Sequence, residues 1–173
     1  MNTMTIRDAL GEVALTYEEM CKYHGKDFLG GVALAFKVME MAGRYLWPGT
    51  VPLRSEIRLV LGLDPPGLID GFEYLTRAIT QHRVIIDPTL GKGPLSVGGS
   101  YCFEVHYRGR KLALQLKQGA LPAGFTALAG KCLAGIADDE ERRQWQAHKL
   151  NLGKTISTAD PADLLDVEAV TSA

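Results

Sequence analysis

The segment from Cys21 to Gly31, CKYHGKDFLGG, carries ligand-type and acid–base side chains at close spacing. Cys21 and His24 lie three residues apart, so on a helix they would share one face and could both contact a metal ion. A buried thiol beside a hydrogen-bonded histidine is the favoured explanation of the same two residues on composition alone. Two ligands do not make a metal site, so a metal ion there would need further side chains from elsewhere in the chain.

Gly30 and Gly31 follow at the expected start of a second helix. Unpaired backbone N–H groups at a helix N-terminus can bind an anion, and Lys26 is close enough in sequence to add a positive charge. Close packing of the helix against a neighbour is the alternative reason for two glycines at this position.

Asp70 is the carboxylate that stands out as a candidate general acid or base. The glycine beside it, Gly71, is unusual within a helical pattern, because an interior glycine costs about 1 kcal/mol relative to alanine. Close packing or the approach of a ligand would explain it. Together with His24, Asp70 forms a candidate catalytic pair, since imidazole is the side chain best suited to acid–base chemistry at neutral pH.

A glycine-rich segment, TLGKGP, places Gly91, Lys92 and Gly93 in a loop. It is not a nucleoside triphosphate loop of the GxxxxGK[ST] type, since glycine follows the lysine and the spacing is absent. Its glycines would still let the backbone approach a ligand, and Lys92 would favour an anionic one.

The composition limits the possible partners. The chain has 173 residues, 46% of them hydrophobic, and a net charge of -1, which predicts a single folded domain with no electrostatic attraction to nucleic acid or to an anionic membrane. The apolar run GGVALAF is interrupted by Lys37 and is too short to cross a bilayer. Three cysteines without a CxxC pair argue against a disulfide framework and favour the cytoplasm.

Hydrophobic periodicity predicts the elements that position these residues. We expect a helix from Ile6 to about His24, a second from Leu29 or Gly30 to Tyr45 or Leu46, a strand in SEIRLVLGL, and a third helix in LDPPGLIDGFEYLTRAI with Asp64 as its N-cap. HRVIID predicts a short strand, YCFEVHYRGRKLALQLK a β-hairpin, and the remainder three short helices. The fold class is therefore α+β: a mixed or antiparallel sheet with a hairpin in the C-terminal half and helices packed over it. We expect a core of about residues 5–150 and a C-terminal extension of about 151–173.

The order of three segments resembles the FmdE family, which takes its name from a component of formylmethanofuran dehydrogenase. The segments are YHGKDFLGGVALAFKVMEMA, LIDGFEYLT and TLGKGPLSV, followed by the hairpin, and together they span roughly residues 15–120. The family has an HGH-L-CPG corner, a segment containing Asp-Gly, and a Gly-Cys-Thr-x-Gly-Lys-Gly loop. The matching positions are His24 and Gly25 of HGH, Gly30 of CPG, and Gly91, Lys92 and Gly93 of the loop.

This resemblance implies an α+β homodimer with a divalent transition metal, zinc or similar, bound by the histidine–cysteine corner and the cysteine of the loop. Several family positions differ here: Lys26 replaces the second histidine, Phe28 the cysteine and Leu29 the proline. The loop cysteine and the cysteine pairs of a C-terminal zinc finger, which some members carry, are absent from the sequence. Lysine is a cation and would repel a divalent ion. His82, from a stretch of about ten additional residues, is a candidate replacement ligand.

Two main hypotheses follow. The first is a metal-ion-binding cytoplasmic homodimer of the FmdE type, with Cys21, His24 and His82 as ligands. The second is a metal-free enzyme or binding protein for a small anionic organic metabolite. In that case His24 and Asp70 would perform acid–base chemistry, and Lys26, Lys92 and the glycine amides would hold the anion. An accessory protein of a molybdenum or tungsten enzyme is a third interpretation, which rests on the resemblance alone.

Overall fold

A computed structural model describes residues 3–172, and within them the chain forms six α-helices and nine strands. In chain order these are β1 (Thr3–Asp8), β2 (Gly11–Thr16), α1 (Tyr17–His24), α2 (Gly30–Leu46), β3 (Arg58–Leu61), α3 (Pro66–Thr76), β4 (Val84–Ile86), β5 (Leu95–Ser96), β6 (Gly99–Ser100), β7 (Cys102–Tyr107), β8 (Arg110–Leu116), α4 (Phe125–Leu133), α5 (Asp139–Thr158), α6 (Pro161–Leu164) and β9 (Leu165–Ser172). A short 3₁₀ turn, Arg54–Glu56, precedes β3.

The main sheet has five strands in the order β4–β3–β7–β8–β9. β3 and β4 are parallel, and the other neighbours are antiparallel. The hairpin β7–β8 forms its third and fourth strands, and the helices supply the remainder of the core. The predicted α+β class, with a mixed sheet and a hairpin in the C-terminal half, is confirmed.

The core lies between the sheet and α2. The side chains of β7 alternate, so that Phe103 and Val105 are buried while Glu104 and His106 face partly outward. All residues of α2 from Val32 to Met39 are buried, because α2 also packs against α3 and α5 on its other sides. A helix that is enclosed on every side is typical of the centre of a domain.

The first predicted helix is wrong over residues 6–16, which belong to the hairpin β1–β2. Leu10 fits the helical spacing, yet it lies in the hairpin turn and is fully exposed. Gly11 follows with φ 143°, a value that residues with a Cβ rarely adopt. The helix α1 begins only after Thr16, whose side chain accepts from the N–H of Glu19 while the Glu19 side chain accepts from the N–H of Thr16. This capping box fixes the helix start.

Two half-buried arginines stabilise the C-terminal end of α3. Arg54 donates to the carbonyls of Tyr74 and Leu75, and Arg83 donates to that of Thr76. Cations at this end satisfy unpaired carbonyls and interact favourably with the helix dipole. Burial lowers the pKa of both guanidinium groups. At the other end of α3 the N-cap is Pro65, not the predicted Asp64.

Residues 151–172 complete the fold. Residues 151–158 continue α5, which is longer than predicted, and β9 adds an edge strand that the sequence pattern did not indicate. Leu152, Ile156 and Leu165 are buried, so the expected extension contributes to the core. Among residues 3–172, no helix has both the length and the apolar character that a bilayer crossing requires.

Candidate functional site

His24 and Asp70, the predicted catalytic pair, form a direct hydrogen bond. His24 is the last residue of α1, and its Nδ1 lies 2.6 Å from Oδ2 of Asp70 on α3. The side chain of His24 is 11% exposed and that of Asp70 is 37% exposed. Solvent therefore reaches the pair mainly from the Asp70 side. A carboxylate at Nδ1 fixes the orientation of an imidazole and directs the reactivity of Nε2.

The second ring nitrogen also has a partner. Nε2 of His24 lies 3.1 Å from the backbone carbonyl oxygen of Asp27. A neutral imidazole has one N–H and can donate to only one of these two acceptors, whereas the doubly protonated ring donates to both. For Nε2 to bond to any other molecule, the segment that carries the Asp27 carbonyl has to move.

That segment, the corner loop of residues 25–29, is held by α5. Nζ of Lys149 donates to both carboxylate oxygens of Asp27, at 3.1 and 3.0 Å. Phe28 has φ 57°, a left-handed conformation that costs a non-glycine residue roughly 1–2 kcal/mol. Packing of the Phe28 ring and the Asp27–Lys149 ion pair keep the loop in this conformation.

Phe28 belongs to an aromatic cluster with Phe125, Trp145 and His148. The ring centroids of Phe28 and Trp145 are 5.0 Å apart, those of Phe125 and Trp145 are 5.3 Å apart, and those of Phe125 and His148 are 5.7 Å apart. Nε2 of His148 is buried and has no hydrogen-bond partner within the described residues. Phe28 therefore fills the corner with apolar packing. The sequence did not single out Trp145 and His148, because the charged residues at the start of their helix mask its apolar face.

Gly30 and Gly31 allow close helix packing. A Cβ at Gly31 would lie 2.8 Å from the backbone nitrogen of Leu68 on α3, and one at Gly30 would lie 3.2 Å from Cβ of Leu152 on α5. The packing alternative accounts for both glycines, and anion binding by their amides stays a prediction. Lys26 is exposed in the corner loop.

The glycine-rich loop closes over a thiol. The N–H of Gly93 donates to Sγ of Cys102 at 3.2 Å, and Cys102 is 4% exposed. A Cβ at Gly91 or Gly93 would lie 2.6 or 2.8 Å from that sulfur. The backbone approach that these glycines permit is thus to Cys102, while Lys92 between them is exposed.

The predicted metal ligands do not assemble. Burial raises the pKa of the Cys21 thiol, which also interacts with Tyr17, whereas a metal ligand has to be a thiolate. His82 is exposed in the turn that follows the C-terminus of α3. Asp70, to which His24 is hydrogen-bonded, lies in the first half of that helix. Across residues 3–172, no three His, Cys, Asp or Glu side chains converge as ligands. With both His24 nitrogens bonded as well, the residues present do not fit a metal site made by the protein alone.

Tyr17 is a second buried group that sequence analysis did not select. Its hydroxyl donates to the carbonyl of Gly153 on α5 at 3.3 Å. Burial, followed by a hydrogen bond with Cys21, raises the pKa of the phenol. Tyr17 and Cys21 are four residues apart on α1, and this spacing was the available signal that they share a face.

Three cavities stand out among the described residues, and neither His24 nor Asp70 lines any of them. One, of about 530 Å³, is bordered by Phe125 of the aromatic cluster and by Pro94, the last residue of the TLGKGP segment. Its lining includes none of the residues in which the sequence predicted ligand binding, namely Lys26, Gly30, Gly31, Gly91, Lys92 and Gly93. Lys117 also lines it and supplies a positive charge.

The sequence matches no family model, and no curated protein is significantly similar to it.

Proposed function

We propose that this protein is an enzyme or binding protein for a small anionic organic metabolite, with His24 and Asp70 as its acid–base pair. The 2.6 Å hydrogen bond between His24 Nδ1 and Asp70 Oδ2 carries the proposal. A carboxylate in this position orients an imidazole, and the opposite nitrogen then exchanges the proton with substrate. The carbonyl of Asp27 occupies the position of that partner.

Binding would replace one hydrogen bond of Nε2 by another. A substrate hydroxyl or carbonyl would take the place of the Asp27 carbonyl, with a shift of the corner loop. Lys26 and Lys149 carry positive charge on this loop and on the helix beside it, Lys92 carries it in the glycine-rich loop, and Lys117 lines the 530 Å³ cavity. Lys149 and Lys117 are paired with Asp27 and Asp166, so the support for an anionic rather than a cationic substrate rests on Lys26 and Lys92.

A ligand screen with matched variants tests this function. Thermal unfolding with panels of small carboxylates and phosphates identifies binders, and calorimetry then compares wild type with His24→Asn, Asp70→Asn, Lys26→Ala and Lys92→Ala. The chain offers a control in His106, whose Nε2 lies 3.0 Å from Glu104 on β7. We expect His24→Asn to weaken the hit about tenfold or more and His106→Asn to leave it unchanged. If every hit bound all four site variants as tightly as wild type, the proposal would be contradicted.

We propose metal-ion binding, and with it membership in the FmdE family, as the second candidate. Its support is the Asp70–His24 bond, since histidine ligands usually donate their other ring N–H to a carboxylate. Because Cys21, His24 and His82 do not converge within one chain, this candidate requires further ligands from a second copy of the chain. Elemental analysis after zinc loading, with His24→Ala, Cys21→Ser and His82→Ala, tests it. Metal content far below one ion per chain, unaffected by these substitutions, would exclude this candidate.

We also propose that the chain forms a homodimer. Leu133 and Ile136 are each 72% exposed at the end of α4, and Val97 from the β5–β6 hairpin packs near the same helix. Apolar surface of this kind favours protein contact. Sedimentation of wild type and Leu133→Lys tests the assembly, and a monomeric wild type would contradict it. A cytoplasmic location is proposed because Cys21, Cys102 and Cys132 are free thiols.

A further inference from the structure

A separate cavity of about 670 Å³ lies on another part of the molecule. Its walls come from the β1–β2 hairpin, the connection between α2 and β3, and the turn between β7 and β8. Small-molecule sites typically occupy roughly 300–1,000 Å³. The proposed acid–base pair contributes nothing to its lining, so the cavity needs its own explanation.

The lining concentrates arginine. Arg7, Arg108 and Arg110 line the cavity, with Glu12 as its carboxylate. Arg110 donates to the carbonyls of Leu46 and Tyr45 at 2.9 and 2.7 Å. These bonds fix the guanidinium in place without neutralising its charge.

The other two arginines retain donors. Nη2 of Arg7 lies 2.9 Å from Glu12, and Nε of Arg108 lies 2.5 Å from Glu56. A guanidinium has five N–H donors, so each ion pair leaves several of them for a ligand. Arg7 is 55% exposed and Arg108 is 61% exposed, which makes both groups accessible from solvent.

An apolar wall stands beside these charges. Trp47 and Tyr107 pack edge to face with centroids 5.1 Å apart, and the guanidinium of Arg108 lies 5.2 Å from the centre of the Tyr107 ring. The Tyr107 hydroxyl accepts from the N–H of Leu53 at 3.1 Å. The N–H of Arg7 donates to the carbonyl of Pro52 at 2.8 Å. These bonds join the three walls, so the cavity is held by the fold rather than by one loop.

We propose that this cavity is a binding site for a small phosphate ester, distinct from the site at His24. Guanidinium groups match the geometry of phosphate oxygens and form paired, charge-assisted hydrogen bonds with them. The surface of Trp47, Val51 and Leu53 contacts the organic part. Glu12 competes with the phosphate for Arg7, so binding exchanges one anionic partner of Arg7 for another.

Calorimetry with phenyl phosphate, inorganic phosphate and benzoate tests this site. We expect saturable binding of one phenyl phosphate per chain, tighter than that of the other two probes. Arg7→Met weakens it about tenfold or more, since a charge-assisted pair is lost, and Arg7→Lys weakens it less. Glu12→Gln strengthens binding because it removes the competing carboxylate. Arg143→Met is the matched control, since Arg143 forms a comparable exposed ion pair with Glu140 on α5 and lies outside the cavity.

Three results would overturn the proposal: no saturable binding to wild type, equal affinity in Arg7→Met, or an equal loss in Arg143→Met. His24→Asn separates this site from the proposed function, because it leaves phenyl phosphate affinity unchanged if the cavity binds the ligand. If His24→Asn weakened phenyl phosphate binding and Arg7→Met did not, the ligand would bind at the corner loop, and the proposal of a site in the cavity would be wrong. Arg7 lies on a hairpin surface, and thermal unfolding of each variant verifies the fold.

Discussion

Gly71 on α3 faces Ala35 on α2 so closely that a Cβ at Gly71 would lie 2.7 Å from Cβ of Ala35. Both helices pack through this contact, and Asp70, the residue before Gly71, is positioned by it toward His24. The glycine that looked unusual in the sequence therefore serves helix packing. This packing in turn places the carboxylate of the acid–base pair.

Gly71→Ala is expected to destabilise the protein although alanine is the better helix former. The added methyl forces α2 and α3 apart, at a cost of roughly 1–3 kcal/mol, and the gain in helix propensity of about 1 kcal/mol offsets only part of it. Urea unfolding measures the net change. Gly130→Ala on α4 is the control, because its Cβ would meet only Val97 at 3.8 Å, and it should raise stability. A Gly71→Ala variant as stable as wild type would show that α2 and α3 do not pack this closely.

At position 28, the glycine variant should be more stable than the alanine variant, which reverses the usual order of the two residues. Both substitutions remove the ring from the aromatic cluster, but only glycine relieves the left-handed φ of 57°. We expect Phe28→Gly to be more stable than Phe28→Ala by about 1 kcal/mol. Phe125, which belongs to the same cluster and begins α4, is the control, and there the alanine variant should be the more stable. If thermal unfolding gave the same order of the alanine and glycine variants at both sites, the left-handed conformation of Phe28 in the corner loop would be contradicted.

Tyr17 makes stability fall at alkaline pH. Its pKa is raised above the ordinary value of 10.0, chiefly by burial. The unfolded chain therefore loses the phenol proton first, and the contribution of Tyr17 is fully present below pH 10.0 and declines as pH rises beyond it. Tyr17→Phe should show a shallower decline in unfolding free energy above that pH, and Tyr45→Phe, on an exposed part of α2, should follow wild type. Parallel curves for wild type and Tyr17→Phe would be inconsistent with a buried phenol.

The elements that the sequence predicted best have hydrophobic residues at a single clear spacing. The α2 stripe and the alternation of β7 and β8 each admit one interpretation, and both are confirmed. Residues 6–16 do not, because Ile6, Leu10 and Val13 fit a helical stripe as well as a hairpin. There the local signals, Gly11 and the Thr16–Glu19 capping box, decide the outcome, and these outweigh the periodicity.

The site was predictable residue by residue but not as an arrangement. His24 and Asp70 were each chosen for their chemistry, and their direct contact depends on how α1 packs against α3, which no local pattern encodes. The partners of the corner loop come from α5, more than a hundred residues later in the chain. The charged start of α5 hides the apolar face that contains Trp145 and His148.

Arg44 and Asp160 link α2 to α6 through two hydrogen bonds of 2.9 and 2.8 Å. The hydrogen bonds from Arg44 lower the pKa of Asp160 to about 2 from 3.8. A depressed carboxyl pKa contributes stability above the unfolded value, and that contribution is lost as pH falls from 3.8 to about 2.

Arg44→Met should therefore lower the melting temperature near neutral pH, with a difference from wild type that shrinks as pH falls from 3.8 to about 2. Arg143→Met should change it little, because the Arg143–Glu140 pair is more exposed than Arg44–Asp160 and joins residues of a single helix. A deficit of Arg44→Met that stays constant down to the lowest pH would show that packing of the Arg44 stem, and not its charge, holds α2 to α6.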